Sequence, residues 1–147
     1  MILPLSLELP FEPVAAVRPK VTRWNTYYPG AYGKWLPEVR EWASDNWSDD
    51  PVEYPVSVSL LFVVSRPKSH FGTGRNAKTV KASAPAFPHQ DIDNFVKGAL
   101  DALTGCVYAD DRQEIELQAR KVYGSPGRIV FKAKRADQAA DPPALTR

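Results

Sequence analysis

The chain holds one cysteine, Cys106, and two histidines, His70 and His89. A lone thiol excludes an internal disulfide and a cysteine-rich zinc site, and it fits a reducing cytosol. Its ordinary reading is a small buried hydrophobe. Without cysteine partners or a histidine pair at helical spacing, zinc has no ligand set. Long apolar runs are also missing: nothing approaches the roughly 18 residues that span a bilayer, and Met1 to Pro10 carries no basic leader. The expectation is a cytoplasmic protein with no membrane partner. Net charge is small too, at +2, which does not by itself announce a polyanion, so the local distribution of charge has to decide. The informative absence is local. Between Arg66 and Gln90 there is no Asp or Glu, while Arg66, Lys68, Arg75, Lys78 and Lys81 all fall there.

What is present is globular composition, 44% hydrophobic and 24% charged over 147 residues, which points to one domain with one site. Leu3, Leu5, Leu7 and Leu9 alternate with polar residues, the pattern of a strand with one buried face, and Pro4 suggests an edge position. Phe11 to Gly33, rich in proline, basic residues and aromatics, reads as an ordered arm. Trp35, Val39, Trp42, Ala43 and Asn46 recur at helical spacing and predict a helix from Lys34 to about Trp47. Val56 to Val64 is a strand that becomes buried on both faces. Val96, Ala99, Leu100 and Leu103 mark a helix from about Asp93 to Leu103, ended by Gly105. Glu114–Tyr123 and Arg128–Lys134 read as strands, and Gly124-Ser125-Pro126-Gly127 between them predicts a hairpin. The expected fold class is α+β: a mixed sheet packed with two main helices, in a domain spanning 1–135. Residues 136–147 are expected to form a mobile tail.

The chemistry concentrates in Asp91-Ile92-Asp93-Asn94, Lys97, Asp101 and Tyr108-Ala109-Asp110-Asp111. If Asp91 to Asp93 is extended, both carboxylates leave one face, and their repulsion favours a cation between them. The helix N-terminus favours negative charge at the same place. The helix is only about 16 Å long, so the chain after Gly105 can return Asp110 or Asp111 to the site. Three aspartates without Cys or His suit Mg²⁺ or Mn²⁺. Asp93, Lys97 and Asp101 form one helical stripe in which Lys97 either serves a phosphate or belongs to an ordinary surface ion-pair ladder. The plainer alternatives are a helix cap for Asp93 and turn residues for Asp110 and Asp111.

The run Asp-Ile-Asp-Asn-Phe-Val-Lys-Gly-Ala-Leu-Asp-Ala-Leu from Asp91, followed by Val-Tyr-Ala-Asp-Asp-Arg-Gln, resembles the signature of the RusA family of Holliday junction resolvases. Arg66-Pro67-Lys68-Ser69-His70 and Arg18-Pro19-Lys20 resemble segments of its phage and prophage members more weakly. The resemblance implies a homodimer that uses Mg²⁺ or Mn²⁺ to cut symmetrically placed strands of a four-way DNA junction. It implies catalytic and metal-binding roles for Asp91, Asp93 and Asp111, with Lys97 as the essential lysine. Asn94, Asp101 and Asp110 support that shell. Gln90 departs from the family pattern, where a proline or a basic residue commonly precedes the first aspartate.

The acid-free basic segment Arg66 to Gln90 is the footprint of a phosphate grip, and with Gly72 and Gly74 to bend it, it is expected to order on DNA. Arg18, Lys20 and Arg23 are also candidate DNA contacts. Trp24, Tyr27 and Tyr28 beside them suit either core or dimer packing, or stacking on unpaired bases. Two other functions remain compatible with these residues: DNA binding without catalysis, and the same chemistry on flaps or forks. A purely structural phage protein leaves the acid-free segment unexplained.

Overall fold

The computed structural model describes residues 3–136 and 142–145. The expected tail therefore lies largely outside the described residues. The order of elements is β1 (Leu5–Leu9), a two-residue ribbon of β2 (Lys20–Val21) and β3 (Thr26–Tyr27), α1 (Gly30–Asn46), β4 (Val56–Val64), α2 (Ile92–Leu103), β5 (Glu114–Tyr123) and β6 (Arg128–Arg135).

The main sheet has the order β1-β6-β4-β5. Strands β1 and β4 run antiparallel to β6, and β5 runs parallel to β4. β1 lies at the edge, as Pro4 suggested. One row across the sheet is Leu7, Phe131, Leu60 and Ala119, and the next is Ser6, Lys132, Ser59 and Gln118. The apolar row faces the helices: Phe62 stacks on Phe95 of α2 with ring centres 5.2 Å apart, and Tyr32, Trp35, Leu36, Val39 and Ala43 of α1 are buried in the same core. The polar row lines a hollow of about 900 Å³ on the opposite face, remote from α2. β4 is an inner strand, between β6 and β5, and it ends in three consecutive buried residues, Phe62, Val63 and Val64.

That central position overturns the expected hairpin. β5 and β6 do not pair with each other; β4 lies between them. β4, α2 and β5 form a strand–helix–strand crossover, which sets β5 parallel beside β4. The chain then passes over the end of β4, where the Gly124 amide donates to the Val64 carbonyl at 3.0 Å. Two strand spacings are about 10 Å, and four residues reach about 13 Å, so Gly124 to Gly127 suffices for the hop. A turn signal marks reversal of direction, not adjacency.

Three further points differ. α1 begins at Gly30, so Tyr32 belongs to the helix and is buried, not part of an arm. Asn46, expected on the core face, is exposed. The segment after β4 is not featureless: short 3₁₀ turns at Lys68–His70 and Gly74–Asn76 and a Phe71–Val80 bridge fold it on itself.

Candidate active site

Three contacts fix the start of α2. Phe95 anchors it to the sheet through Phe62. The Asn94 carbonyl accepts from the Ala16 amide at 3.0 Å. The Lys121 ammonium, on β5, donates to the Gln90 carbonyl. Asp91 occupies the N-cap position in extended geometry, and its side chain makes no capping hydrogen bond. Asp93 stands in the first turn, and both residues are exposed. The capping alternative thus leaves Asp93 unexplained and is not used by Asp91. Among the described residues neither side chain is engaged in a hydrogen bond or ion pair. The positive end of the helix favours the negative charge of these two carboxylates, and their unengaged oxygens are the donors a hard cation takes. Beside them the Gln90 Oε1 is buried with no partner.

One turn further on, Lys97 Nζ lies 3.4 Å from Asp101 Oδ2. Asp101 also accepts from the Tyr32 hydroxyl at 3.1 Å, and its backbone carbonyl takes Arg40 Nη2 at 3.2 Å. Burial, then the Asp101 charge, push the Tyr32 hydroxyl far above its usual range. Asp101 is therefore held from α1 and keeps Lys97 on the α2 surface. The ladder is half present: Lys97 pairs with Asp101, and Asp93 takes no part in it.

After Gly105, whose φ of +86° needs no Cβ penalty, the chain buries Tyr108 completely. Asp110 then caps the 3₁₀ turn Asp111–Gln113. Its Oδ1 accepts from the Arg112 amide at 2.9 Å, and Gln113 Oε1 accepts from the Asp110 amide at 2.7 Å. The Arg112 amide is also the largest cause holding the Asp110 carboxyl below its usual range. Both aspartates are turn residues before β5, as one alternative expected: Asp110 caps the turn, and Asp111 opens it with its side chain exposed.

Sequence reasoning passed over Glu114. It is half-buried, accepts from the Tyr108 hydroxyl, and its carboxyl is raised by burial, with Asp111 and Asp101 opposing its ionisation. Burial likewise raises Tyr108. Asp101, Asp111 and Glu114 thus share one electrostatic neighbourhood. Among the described residues no three acidic, His or Cys side chains stand close enough to form a ready cation cage, so Asp91 and Asp93 are not closed into one cluster with Asp111. The donor set they offer, unengaged carboxylate oxygens alone, fits Mg²⁺ or Mn²⁺, which keep several waters and take one or two protein carboxylates plus substrate phosphate.

The basic residues form two surfaces. Lys68, Arg75, Lys78 and Lys81 are exposed on the folded loop. Arg66 is half-buried beneath it, with its guanidinium 4.2 Å from the centre of the Tyr123 ring and donating to the Pro85 carbonyl at 2.7 Å. His70 packs edge-on against Tyr123. Arg66, Tyr123, Phe87, Arg120 and Lys121 line a groove of about 700 Å³, which reaches the Gln90 carbonyl through Lys121. Arg18, Lys20 and Arg23 lie elsewhere, on the exposed stretch around the β2–β3 ribbon.

Fold and site define an α+β domain that presents unengaged carboxylates at a helix start, with exposed basic surface on the segments leading to it. The chain matches the family described as endodeoxyribonuclease RusA over residues 10–133, and it belongs to that family. It is also similar to a Bacillus subtilis (strain 168) protein described as uncharacterized protein YqaN, 31% identical over 88 residues. That similarity covers 59% of this chain and 62% of the relative. No helix among the described residues is long and apolar enough to cross a membrane.

Proposed function

We propose that the chain is a divalent-metal-dependent endodeoxyribonuclease that resolves four-way DNA junctions in recombination, acting as a homodimer. The observation that carries this reading is the unengaged pair Asp91 and Asp93, in a chain that belongs to an endodeoxyribonuclease family. Asp91, Asp93 and Asp111 would hold Mg²⁺ or Mn²⁺. When bound, such an ion offsets charge on the phosphate under attack and lowers the pKa of water. Lys97, kept in place by Asp101, binds the scissile phosphate and stabilises its developing charge. Asn94 and Asp110 support the helix start and the turn that precedes β5. Lys68, Arg75, Lys78, Lys81 and Arg66 grip phosphates on the arms, so affinity falls with salt. Two symmetric cuts need two sites, hence the homodimer.

The test compares a synthetic four-way junction with matched linear duplex, in Mg²⁺ or EDTA, using the parent and Asp93→Asn. The expected outcome is cleavage of the junction alone, dependent on metal, and lost by at least about 100-fold in the variant while binding persists. A parent that binds the junction but never cuts it with either metal returns the chain to DNA binding without catalysis. Equal cleavage of flaps or forks instead widens the substrate to branched DNA.

A further inference from the structure

From Val17 to Tyr27 every residue is exposed, and the run is nevertheless built. β2 and β3 pair, and their four-residue tip is closed by the Thr22 hydroxyl. That hydroxyl donates to Asn25 (3.1 Å to the carbonyl, 3.0 Å to Oδ1) and accepts from the amides of Trp24 at 3.3 Å and Asn25 at 3.1 Å. The Thr22 amide donates to the Asn25 carbonyl at 2.8 Å. On this fixed tip Trp24 is 84% exposed, with the Arg23 guanidinium 5.1 Å from its ring centre. Val21, on the same ribbon, is 78% exposed. A large aromatic held in water on a hydrogen-bonded turn has no folding role, and exposed apolar surface of this kind marks a binding site.

The charge around it selects the partner. No Asp or Glu occurs from Pro13 to Pro37, while Arg18, Lys20, Arg23 and Lys34 do. Basic side chains interleaved with an exposed aromatic suit phosphate and base together. One foot of the ribbon stands on α2 and the other on α1. On one side the Ala16 amide is bonded to Asn94; on the other Tyr28 packs edge-on against Tyr32, whose hydroxyl donates to Asp101. Lys20 is four positions beyond Ala16, so the ribbon starts within about 14 Å of the helix that carries the aspartates.

We propose that the Thr22–Asn25 tip is a wedge, with Trp24 stacking on a base left unpaired at the branch point while Arg23, Lys20 and Arg18 hold the adjoining phosphates. The inference rests on the branched-DNA reading above and deepens it: the wedge sets where the branch sits relative to Asp91 and Asp93. Inserted apolar side chains of this type unstack one base step and exchange that cost for contact.

The experiment places 5-iodouracil at each position flanking the branch of a four-way junction, binds it to the Asp93→Asn protein so that no strand is cut, irradiates, and maps the crosslinked peptide. Crosslinking at the branch positions to the peptide containing Trp24 is expected. It is absent in Trp24→Ala and retained in Trp24→Phe, with junction affinity falling roughly tenfold in the alanine variant. A crosslink that maps to another segment, or one undiminished in Trp24→Ala, overturns the wedge while leaving junction binding intact. Sedimentation supplies the other arm: if Trp24→Ala turns a dimer into a monomer, the tip is a contact between copies and the proposal fails. If the protein does not bind the junction at all, the branched-DNA reading falls first and takes the wedge with it.

Discussion

Burial raises the Glu114 carboxyl above its ordinary value of 4.5, and the charges of Asp111 and Asp101 add to that effect. Between the unfolded and folded values the native state holds a proton that the unfolded chain has lost. Stability from this group is therefore greatest at low pH and is lost as pH rises through the folded value. Glu114→Gln keeps an acceptor for the Tyr108 hydroxyl and removes the ionisation. Its melting temperature is expected to equal the parent's near pH 4, to exceed it increasingly as pH rises, and then to hold a constant lead. Thermal melts across pH check this, and a pH-independent difference rejects it. The aspartates were legible in the sequence because their spacing is a motif. Glu114 was not, because a glutamate at the first position of an alternating strand looks like its solvent face, and only the burial of Tyr108 shows otherwise.

The elements place the acidic helix by close approach. Gly98 lies where α2 passes α1: a Cβ there would stand 3.2 Å from the Val14 carbonyl oxygen and 3.3 Å from Tyr32 Cε1. Gly98→Val gains roughly 0.4 kcal/mol in helix propensity, less than the overpacking cost of about 1–3 kcal/mol. A net loss of stability is expected in urea unfolding at unchanged m, and junction cleavage should fall with it, since α2 carries Asp91, Asp93 and Lys97. A neutral Gly98→Val would mean that the helices separate freely there. The same scale explains what the sequence concealed. Period-two and helical spacing located β4, α2, β5 and β6 because apolar residues recur along each at its element's period. They could not say which strands are neighbours. The strand–helix–strand order of β4, α2 and β5 was the available signal for β5 beside β4, and Gly124 to Gly127 outweighed it in the reading because hairpins are the commoner use of such a turn. The early start of α1 was hidden by Pro29, Gly30 and Gly33, which read as loop residues until Tyr32 is seen packed against Trp35.

Over the whole molecule, charge is sorted along the chain: two acid-free basic segments of sequence, the β2–β3 ribbon with its flanks and the loop before α2, both precede the acidic residues of α2 and its following turn. On the proposed reading each such surface cuts one strand, and a second copy supplies the opposite cut that resolution without leftover nicks needs. If the homodimer reading is right, mixing parent with excess Asp93→Asn after subunit exchange makes most active sites belong to heterodimers, each with one competent centre. Such mixtures are expected to accumulate junctions nicked on one strand, with the nicked fraction rising as the variant is added, whereas the parent alone gives paired cuts. A denaturing gel counts single cuts, and a native gel counts resolved duplexes. Should the mixture only dilute paired cutting, with no nicked junction at any ratio, the two cuts are made by one chain in succession or by subunits that do not exchange. Repeating the mixture after co-expression separates those two cases, because co-expressed heterodimers need no exchange.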